Sequence, residues 1–288
     1  MCRSSGRNSD TNGNYSRPLG GCQSGNQVSE MNELIQTYAA ETAVLLQKIH
    51  VTLEQDGRIV AAWLFGSKGR GEEDALSDID LWVIVEDAAY EAIVAEKRAF
   101  VERVGTAVLF LEASHNAPPN GVYLAVQLDA PTAPHHVDWY WQPRAAAVRP
   151  PDTTLLFDKA GIPKVAEPIK FPGGELDPNL INQPMHFISY FWMMLMVSAK
   201  QIWRQPDDEG IPYLPYFIGD FHKTQQLLQL PLTHQESVVL PTKASKFAFL
   251  TQLADEMQAM MTQLDAQGTA VPQEIVPGAY HFLKMVSD

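Results

Sequence analysis

The sequence predicts an α/β protein, with an N-terminal domain built on a mixed β-sheet and a C-terminal α-helical bundle. Short apolar runs rich in β-branched residues alternate with helical patterns up to about residue 160, whereas only helical patterns recur after a proline-rich stretch. A chain of 288 residues is also long enough for two domains of ordinary size. We therefore predict a sheet domain at residues 30–160, a Pro-rich linker at 161–178 and a helical domain at 179–288.

The N-terminal residues 1–29 are rich in Ser, Gly and Asn and contain almost no aliphatic side chains. Such a segment cannot bury enough apolar surface to offset the entropy lost on ordering, so we predict a disordered tail. From Glu30 to Glu54, apolar residues recur at steps of three and four, and Asp56-Gly57 follows as a stop signal. This pattern predicts an amphipathic helix.

The predicted sheet begins with two apolar runs, Ile59–Phe65 and Ile79–Val85, which are too short for typical helices. Helical spacing follows over Ala88–Val104. Further short strands are predicted at residues 107–111, 122–128, 135–141 and 154–157. Beyond the linker, helices are predicted at residues 184–203, 217–230, 242–267 and 272–286.

Composition limits the kinds of partner and compartment. The net charge of −13 and the pI near 5.0 oppose binding to nucleic acid, and favour a neutral or cationic partner. Cys2 and Cys22 both lie in the predicted tail, so no disulfide framework is expected and a reducing cytoplasm is the default. The longest apolar stretch, Phe187–Val197, is too short to cross a bilayer. Nothing in the sequence indicates an oligomeric state.

A glycine-rich turn follows the first predicted strand, with the sequence Gly66-Ser67-Lys68-Gly69-Arg70-Gly71. A Gly-Ser turn at the start of a short helix exposes backbone amides and a hydroxyl, which are suitable donors for phosphate oxygens. Lys68 and Arg70 are either further phosphate contacts or surface charges. The turn therefore predicts part of a binding site for a nucleoside triphosphate.

Paired acids stand on the next predicted strand. Asp78 and Asp80 differ by two positions, so both carboxylates point to one face of an extended strand. Two hard oxygen ligands on one face suit Mg²⁺. Asp138 is a third acid, embedded in the β-prone run His136–Trp141, where an uncompensated charge would be costly to bury. Together the three acids predict a site for two Mg²⁺ ions.

The histidines beside the third acid, His135 and His136, lack the companion Cys or spaced His ligands of a zinc site. We interpret them as structural or surface histidines.

These motifs resemble the DNA polymerase β-like nucleotidyltransferase superfamily, in which a Gly-Ser turn is followed, about ten residues later, by an Asp-x-Asp pair on the next strand. Gly66-Ser67, Asp78 and Asp80 match this signature, and Arg70-Gly71 matches an Arg-Gly that often occurs within the loop. The resemblance implies Mg²⁺-dependent nucleotidyl transfer, with ATP as the expected donor. It also implies that Asp138 is the third metal ligand.

Within the superfamily, the chain length, the C-terminal helices and the turn at residues 155–161 resemble antibiotic nucleotidyltransferases of the aminoglycoside and lincosamide type. That resemblance implies a small-molecule hydroxyl acceptor and basic nucleotide-binding residues on the helical domain, for which Lys200, Arg204 and Lys223 are candidates. A protein or tRNA acceptor, as in toxin and antitoxin systems of the superfamily, is an alternative. A silent nucleotide-binding module is another, which the presence of all three acids disfavours.

Overall fold

A computed structural model describes residues 24–168, 171, 178–207, 209–235 and 238–287, with side chains in the first helix from residue 33 onward. The predicted tail therefore lies outside the described residues up to position 23. Part of the predicted linker, residues 169–170 and 172–177, lies outside them as well.

The elements follow the predicted order closely. The described helices are α1 (Ser24–Gln55), α2 (Gly66–Arg70), α3 (Tyr90–Ala95), α4 (Lys97–Glu102), α5 (Pro178–Ile181), α6 (Pro184–Arg204), α7 (Leu214–Leu227), α8 (Lys243–Ala266) and α9 (Ile275–Ser287). The described strands are β1 (Ile59–Leu64), β2 (Ile79–Val85), β3 (Ala107–Leu111), β4 (Val122–Leu128), β5 (His135–Pro143) and β6 (Thr154–Asp158).

The strands form one six-stranded mixed sheet in the order β3-β4-β5-β2-β1-β6. Strands β2 and β5 pair in parallel, while all other neighbouring pairs are antiparallel. This arrangement confirms the predicted α/β class with a mixed sheet and a helical C-terminal part. Because β2 and β5 are the two central strands, any side chains that they align lie in the middle of the sheet.

Both faces of the sheet are buried, which explains why its central strands are continuous apolar runs. On one face, Leu81 and Val83 pack with the C-terminal half of α1 and with α3 and α4. On the other face, Trp63 and Trp82 belong to a larger hydrophobic cluster that includes α6, α7, α8 and α9. The C-terminal helices therefore share a core with the sheet. The division into two domains stays a prediction.

Two helices of the C-terminal part begin at ordinary helix-start signals in the sequence. Helix α6 starts with Pro184, which fits the first turn because no intrahelical partner is needed for its missing N–H group. Helix α8 starts with a capping box, in which the Thr242 side chain accepts a hydrogen bond from the Ser245 N–H group and the Ser245 hydroxyl accepts one from the Thr242 N–H group. None of the helices in the described part of the chain is long and apolar enough to cross a membrane.

Several predicted boundaries differ from the structure. Helix α1 begins at Ser24, so residues 24–29, which were assigned to the tail, are helical. The predicted helix Ala88–Val104 is two short helices, separated at Glu96, whose φ of −101° and ψ of 11° are not helical. Helix α7 begins at Leu214 rather than at residue 217, because a proline is tolerated in the first turn.

Candidate active site

The Gly-Ser turn lies directly against one of the predicted metal ligands. Gly66 has a φ of 64°, in the left-handed region that favours glycine. A Cβ atom at this position would lie 2.1 Å from Oδ2 of Asp80. The Phe65 N–H group also donates a hydrogen bond to the Asp80 carbonyl oxygen, with an N–O distance of 3.1 Å. Position 66 therefore requires glycine both for its conformation and for space beside the carboxylate.

The parallel pairing of β2 and β5 aligns two of the three predicted acids. Asp80 and Asp138 are Cα partners in the ladder, so their side chains point to the same face of the sheet. His136 lies two residues before Asp138 in β5 and so shares that face. Asp78 immediately precedes β2 and is near enough for its charge to raise the pKa of Asp80. The fold thus brings together Asp78, Asp80 and Asp138 at the start of the two central strands.

The acids carry more negative charge than their surroundings compensate. Burial raises the pKa of Asp80 to about 7, and the negative charges of Asp138 and Asp78 add to the effect. His136 and Lys200 oppose the increase but do not cancel it. A bound divalent cation would relieve this repulsion.

Asp78 is balanced by a lysine from the helical part of the chain. Lys200 on α6 is 2% exposed and forms an ion pair with Oδ1 of Asp78. Burial of the Asp78 carboxyl raises its pKa, but the positive charges of Lys200 and His136 outweigh burial and lower it overall. Lys200, a predicted nucleotide-binding residue, therefore contacts one of the three acids.

Asp138 is held by two side chains that the sequence did not assign to the site. Its Oδ1 accepts a hydrogen bond from the Tyr123 hydroxyl at 2.5 Å, and Nε2 of His136 lies 2.9 Å from the same oxygen. Burial lowers the pKa of His136, but Asp138 and Asp78 raise it above its ordinary value overall. His136 is therefore part of the acidic cluster rather than a surface residue.

A signal for His136 was present in the sequence, because its position two residues before Asp138 places it on the same face of a strand. No comparable signal identifies Tyr123, because its position depends on the antiparallel register in which Tyr123 pairs with Tyr140 and Ala125 pairs with Asp138.

The residues of this cluster fit a hard divalent cation. Three neighbouring carboxylates supply the oxygen ligands that Mg²⁺ prefers, and the raised pKa of Asp80 reflects uncompensated negative charge. Within the described residues, no group of three or more His, Cys, Asp and Glu side chains is already arranged as a metal site. Lys200 contacts one oxygen of Asp78, and Tyr123 and His136 contact one oxygen of Asp138.

The remaining predicted basic residues make contacts elsewhere. Arg204 donates two hydrogen bonds, of 2.7 and 2.8 Å, to the carboxylate of Asp74 in the turn before β2. Lys223 donates a hydrogen bond of 2.7 Å to Asp220 within α7. Of the three basic residues proposed on the helices, Lys200 alone has a described hydrogen bond to the acids.

The two basic residues of the turn are open to solvent to different degrees. Arg70 is exposed and forms an ion pair of 2.7 Å with Glu72. Lys68 is half-buried. Ser67 accepts hydrogen bonds at its carbonyl oxygen from the N–H groups of Gly71 and Glu72, which fold the end of the turn. None of these contacts tests whether Ser67, Lys68 and Arg70 bind phosphate, so their roles in phosphate binding stay predictions.

The Gly66 turn and the Asp78 and Asp80 pair lie in a segment of the chain that is similar to a nucleotidyltransferase domain of the polymerase β type. Residues 47–120 match the family model described as "Polymerase beta, Nucleotidyltransferase". The matched segment includes the turn and the Asp pair, but neither Asp138 nor the C-terminal helices.

No curated protein matches the chain. One similar solved structure is that of a STING-associated CdnE c-di-GMP synthase from Capnocytophaga granulosa, at 11% sequence identity over 90% of this chain and 80% of that chain. The TM-score of 0.24 gives no support for a shared substrate.

Proposed function

We propose that this chain is a Mg²⁺-dependent nucleotidyltransferase that transfers AMP from ATP to a hydroxyl group of a small molecule. The observation that carries the proposal is the convergence of Asp78, Asp80 and Asp138 beside the Gly66 turn. Asp78, Asp80 and Asp138 are the proposed metal ligands, and two bound Mg²⁺ ions would activate the acceptor and neutralise charge on the phosphates.

The surrounding residues position the substrates. Backbone amides and the hydroxyl of the Gly66-Ser67 turn would bind triphosphate oxygens, and Lys200, which pairs with Asp78, would neutralise phosphate charge beside the acids. Tyr123 and His136 fix the orientation of the Asp138 carboxylate through its Oδ1 atom.

In the transfer, the acceptor oxygen forms a bond to the α-phosphorus while the bond from that phosphorus to the bridging oxygen of pyrophosphate breaks. The acceptor proton leaves to solvent.

The test combines label transfer with matched acid variants. The full chain is incubated with Mg²⁺, each α-labelled nucleoside triphosphate and a panel of acceptors, comprising aminoglycosides, lincosamides, hydroxylated small molecules, tRNA and lysate protein. We expect release of pyrophosphate and label on a small molecule, with ATP as the preferred donor. Asp80→Ala should abolish turnover, whereas Asp129→Ala, which removes an exposed acid, should not.

Each other outcome has a definite meaning. Label on tRNA or protein would replace the proposed acceptor with a macromolecule. Metal-dependent binding of nucleotide without turnover would support a silent binding module. Turnover that survives Asp80→Ala would contradict the proposed site.

A further inference from the structure

A cavity of 290 Å³ lies between the loop after β3 and helices α6 and α7. Its lining includes His115 from the loop, His186 and Tyr190 from α6, and Tyr216, Asp220 and Lys223 from α7. Four of these six side chains carry flat rings. The cavity therefore offers ring surfaces together with a few polar atoms, which is typical of small-molecule sites.

One face of helix α6 connects the cavity to the acids. Residues 186, 190, 193, 197 and 200 follow steps of four and three, so they lie on the same side of the helix. His186 and Tyr190 line the cavity, whereas Lys200 contacts Asp78. Ten residues separate Tyr190 from Lys200, which corresponds to about 15 Å along the helix axis.

The middle of this helix face lies over the sheet beside the acidic cluster. Met193 Sδ lies 3.8 Å from Nε2 of Gln127, and Gln127 is the strand partner of His136. A second connection runs through the loop, because Asn116, next to His115, hydrogen bonds to Tyr123, which in turn binds Asp138. The cavity is thus connected to the side of the site where the third acid lies.

The charges around the cavity nearly cancel. Asp220 is buried and its carboxylate is paired with the Lys223 ammonium group. Burial and the nearby charge of Lys223 lower the pKa of His186 below its ordinary value, which favours the uncharged imidazole. Nδ1 of His115 is buried without a hydrogen-bond partner among the described residues. An uncharged ligand with hydrogen-bonding groups matches this lining better than a polycation does, since Asp220, which is the one carboxylate among the described lining residues, is paired with Lys223.

We propose that this cavity is the acceptor subsite, and that it binds the uncharged heteroaromatic ring of a hydroxyl compound such as a nucleoside. The proposal rests on the proposed nucleotidyl transfer. Stacking against Tyr190 and hydrogen bonds to Asp220 and His115 would hold the ring. The acceptor hydroxyl would then extend toward Asp138.

The test is equilibrium binding of four probes, adenosine, guanosine, cytidine and uridine, to the full chain by calorimetry. We expect at least one nucleoside to bind. Tyr190→Leu should weaken the affinity for that nucleoside roughly 5-fold to 100-fold through loss of ring stacking. Tyr90→Leu is the matched control, because Tyr90 packs against the opposite face of the sheet. Asp220→Asn, which keeps the side-chain shape, should also weaken binding.

A second comparison separates this proposal from the proposed function. Gly66→Ala should abolish Mg²⁺-ATP binding but leave nucleoside binding intact, whereas Tyr190→Leu should leave Mg²⁺-ATP binding intact. If no nucleoside bound, or if Gly66→Ala rather than Tyr190→Leu weakened nucleoside binding, the cavity assignment would be overturned but the proposed function would not. Binding of an aminoglycoside that is weakened by Tyr190→Leu would also overturn the cavity assignment. Absence of Mg²⁺-ATP binding to the unmodified chain would overturn the proposed function and the acceptor role together.

Discussion

At the scale of single residues, Gly66 is the position where a small change has the largest expected effect. An alanine methyl group would lie 2.1 Å from Oδ2 of Asp80, so either the turn or the carboxylate must move. We expect Gly66→Ala to lower kcat/KM for nucleotidyl transfer at least roughly 100-fold, because displacements near 1 Å at a reacting centre have effects of that size.

The matched control is Gly57→Ala, where an added Cβ atom meets nothing within 4 Å. Near-normal kinetics of Gly66→Ala would show that the turn does not position the substrate.

The acids should reduce stability in the absence of metal. The folded pKa of Asp80 is about 7, above its ordinary value of 3.8, so its ionisation destabilises the fold fully above pH 7 and not at all below about pH 4. We expect Asp80→Asn to stabilise the metal-free protein at pH 8 by roughly 1 to 4 kcal/mol, measured by urea unfolding in the presence of a chelator. The gain should vanish near pH 4.

Addition of Mg²⁺ at pH 8 should stabilise the unmodified protein but not the Asp80→Asn variant. A loss of stability in the variant at pH 8 would contradict the proposed repulsion among the acids.

The sequence predicted the three acids as metal ligands, because two of them are paired by spacing and the third lies in a β-prone run, and the fold brings their carboxylates together. It did not identify Tyr123, since that contact depends on the register between β4 and β5, which is a tertiary property. Lys200 was identified by residue type and region alone. Its pairing with Asp78 depends on how α6 packs across the sheet.

At the scale of elements, short apolar runs located the six strands and helical periodicity located the long helices, because the strands are buried on both faces and the helices on one. The two short helices after β2 were predicted as one, since their apolar spacing continues across Glu96. Arg58 binds the carboxylate of Glu96 at that break. The early start of α1 at Ser24 had no apolar pattern to reveal it.

The turn between α1 and β1 is stabilised by a partly buried charge. Asp56 accepts hydrogen bonds from the backbone and guanidinium groups of Arg58 and from Arg103. The bonds from Arg58 lower the pKa of Asp56 most, burial opposes them, and Arg103 lowers it further. Because the folded pKa is lowered, the stabilisation is present above the ordinary value of 3.8 and is lost as the pH falls below it.

We therefore expect Asp56→Asn to destabilise the protein by roughly 1 to 3 kcal/mol at pH 7 and by progressively less below about pH 4. Urea unfolding at several pH values measures the difference, with Asp129→Asn as an exposed-acid control. If the loss of stability caused by Asp56→Asn did not depend on pH, the charge of Asp56 would be ruled out as its origin.

At the scale of the whole molecule, the sheet and the C-terminal helices share one hydrophobic cluster. Trp192 is fully buried in that cluster, where its indole N–H group lies 3.0 Å from Sδ of Met261. The sequence predicted two domains with a linker in the proline-rich stretch. Proline density contains no information about the area that two segments bury against each other, so the shared cluster could not be predicted.

We expect the sheet and the helices to unfold in one transition, and Trp192→Ala to destabilise both by roughly 3 to 5 kcal/mol. Coincident urea curves from far-ultraviolet circular dichroism and tryptophan fluorescence would support this expectation. Leu232→Ala, at a leucine that is 55% exposed, is the control and should change stability by less than about 0.5 kcal/mol. Two separate unfolding transitions, one for the sheet and one for the helices, would contradict the expectation of a single transition.

The parallel pairing of β2 and β5 also affects the order in which the molecule opens. Asp80 and Asp138 are carried by the two innermost strands, whose backbone groups are bonded on both sides. Local fluctuations release the edges of a sheet before its centre. The backbone amides at these positions should therefore exchange their hydrogens with solvent only when the whole protein unfolds, whereas amides on the edge strands should also exchange through local fluctuations of the folded protein.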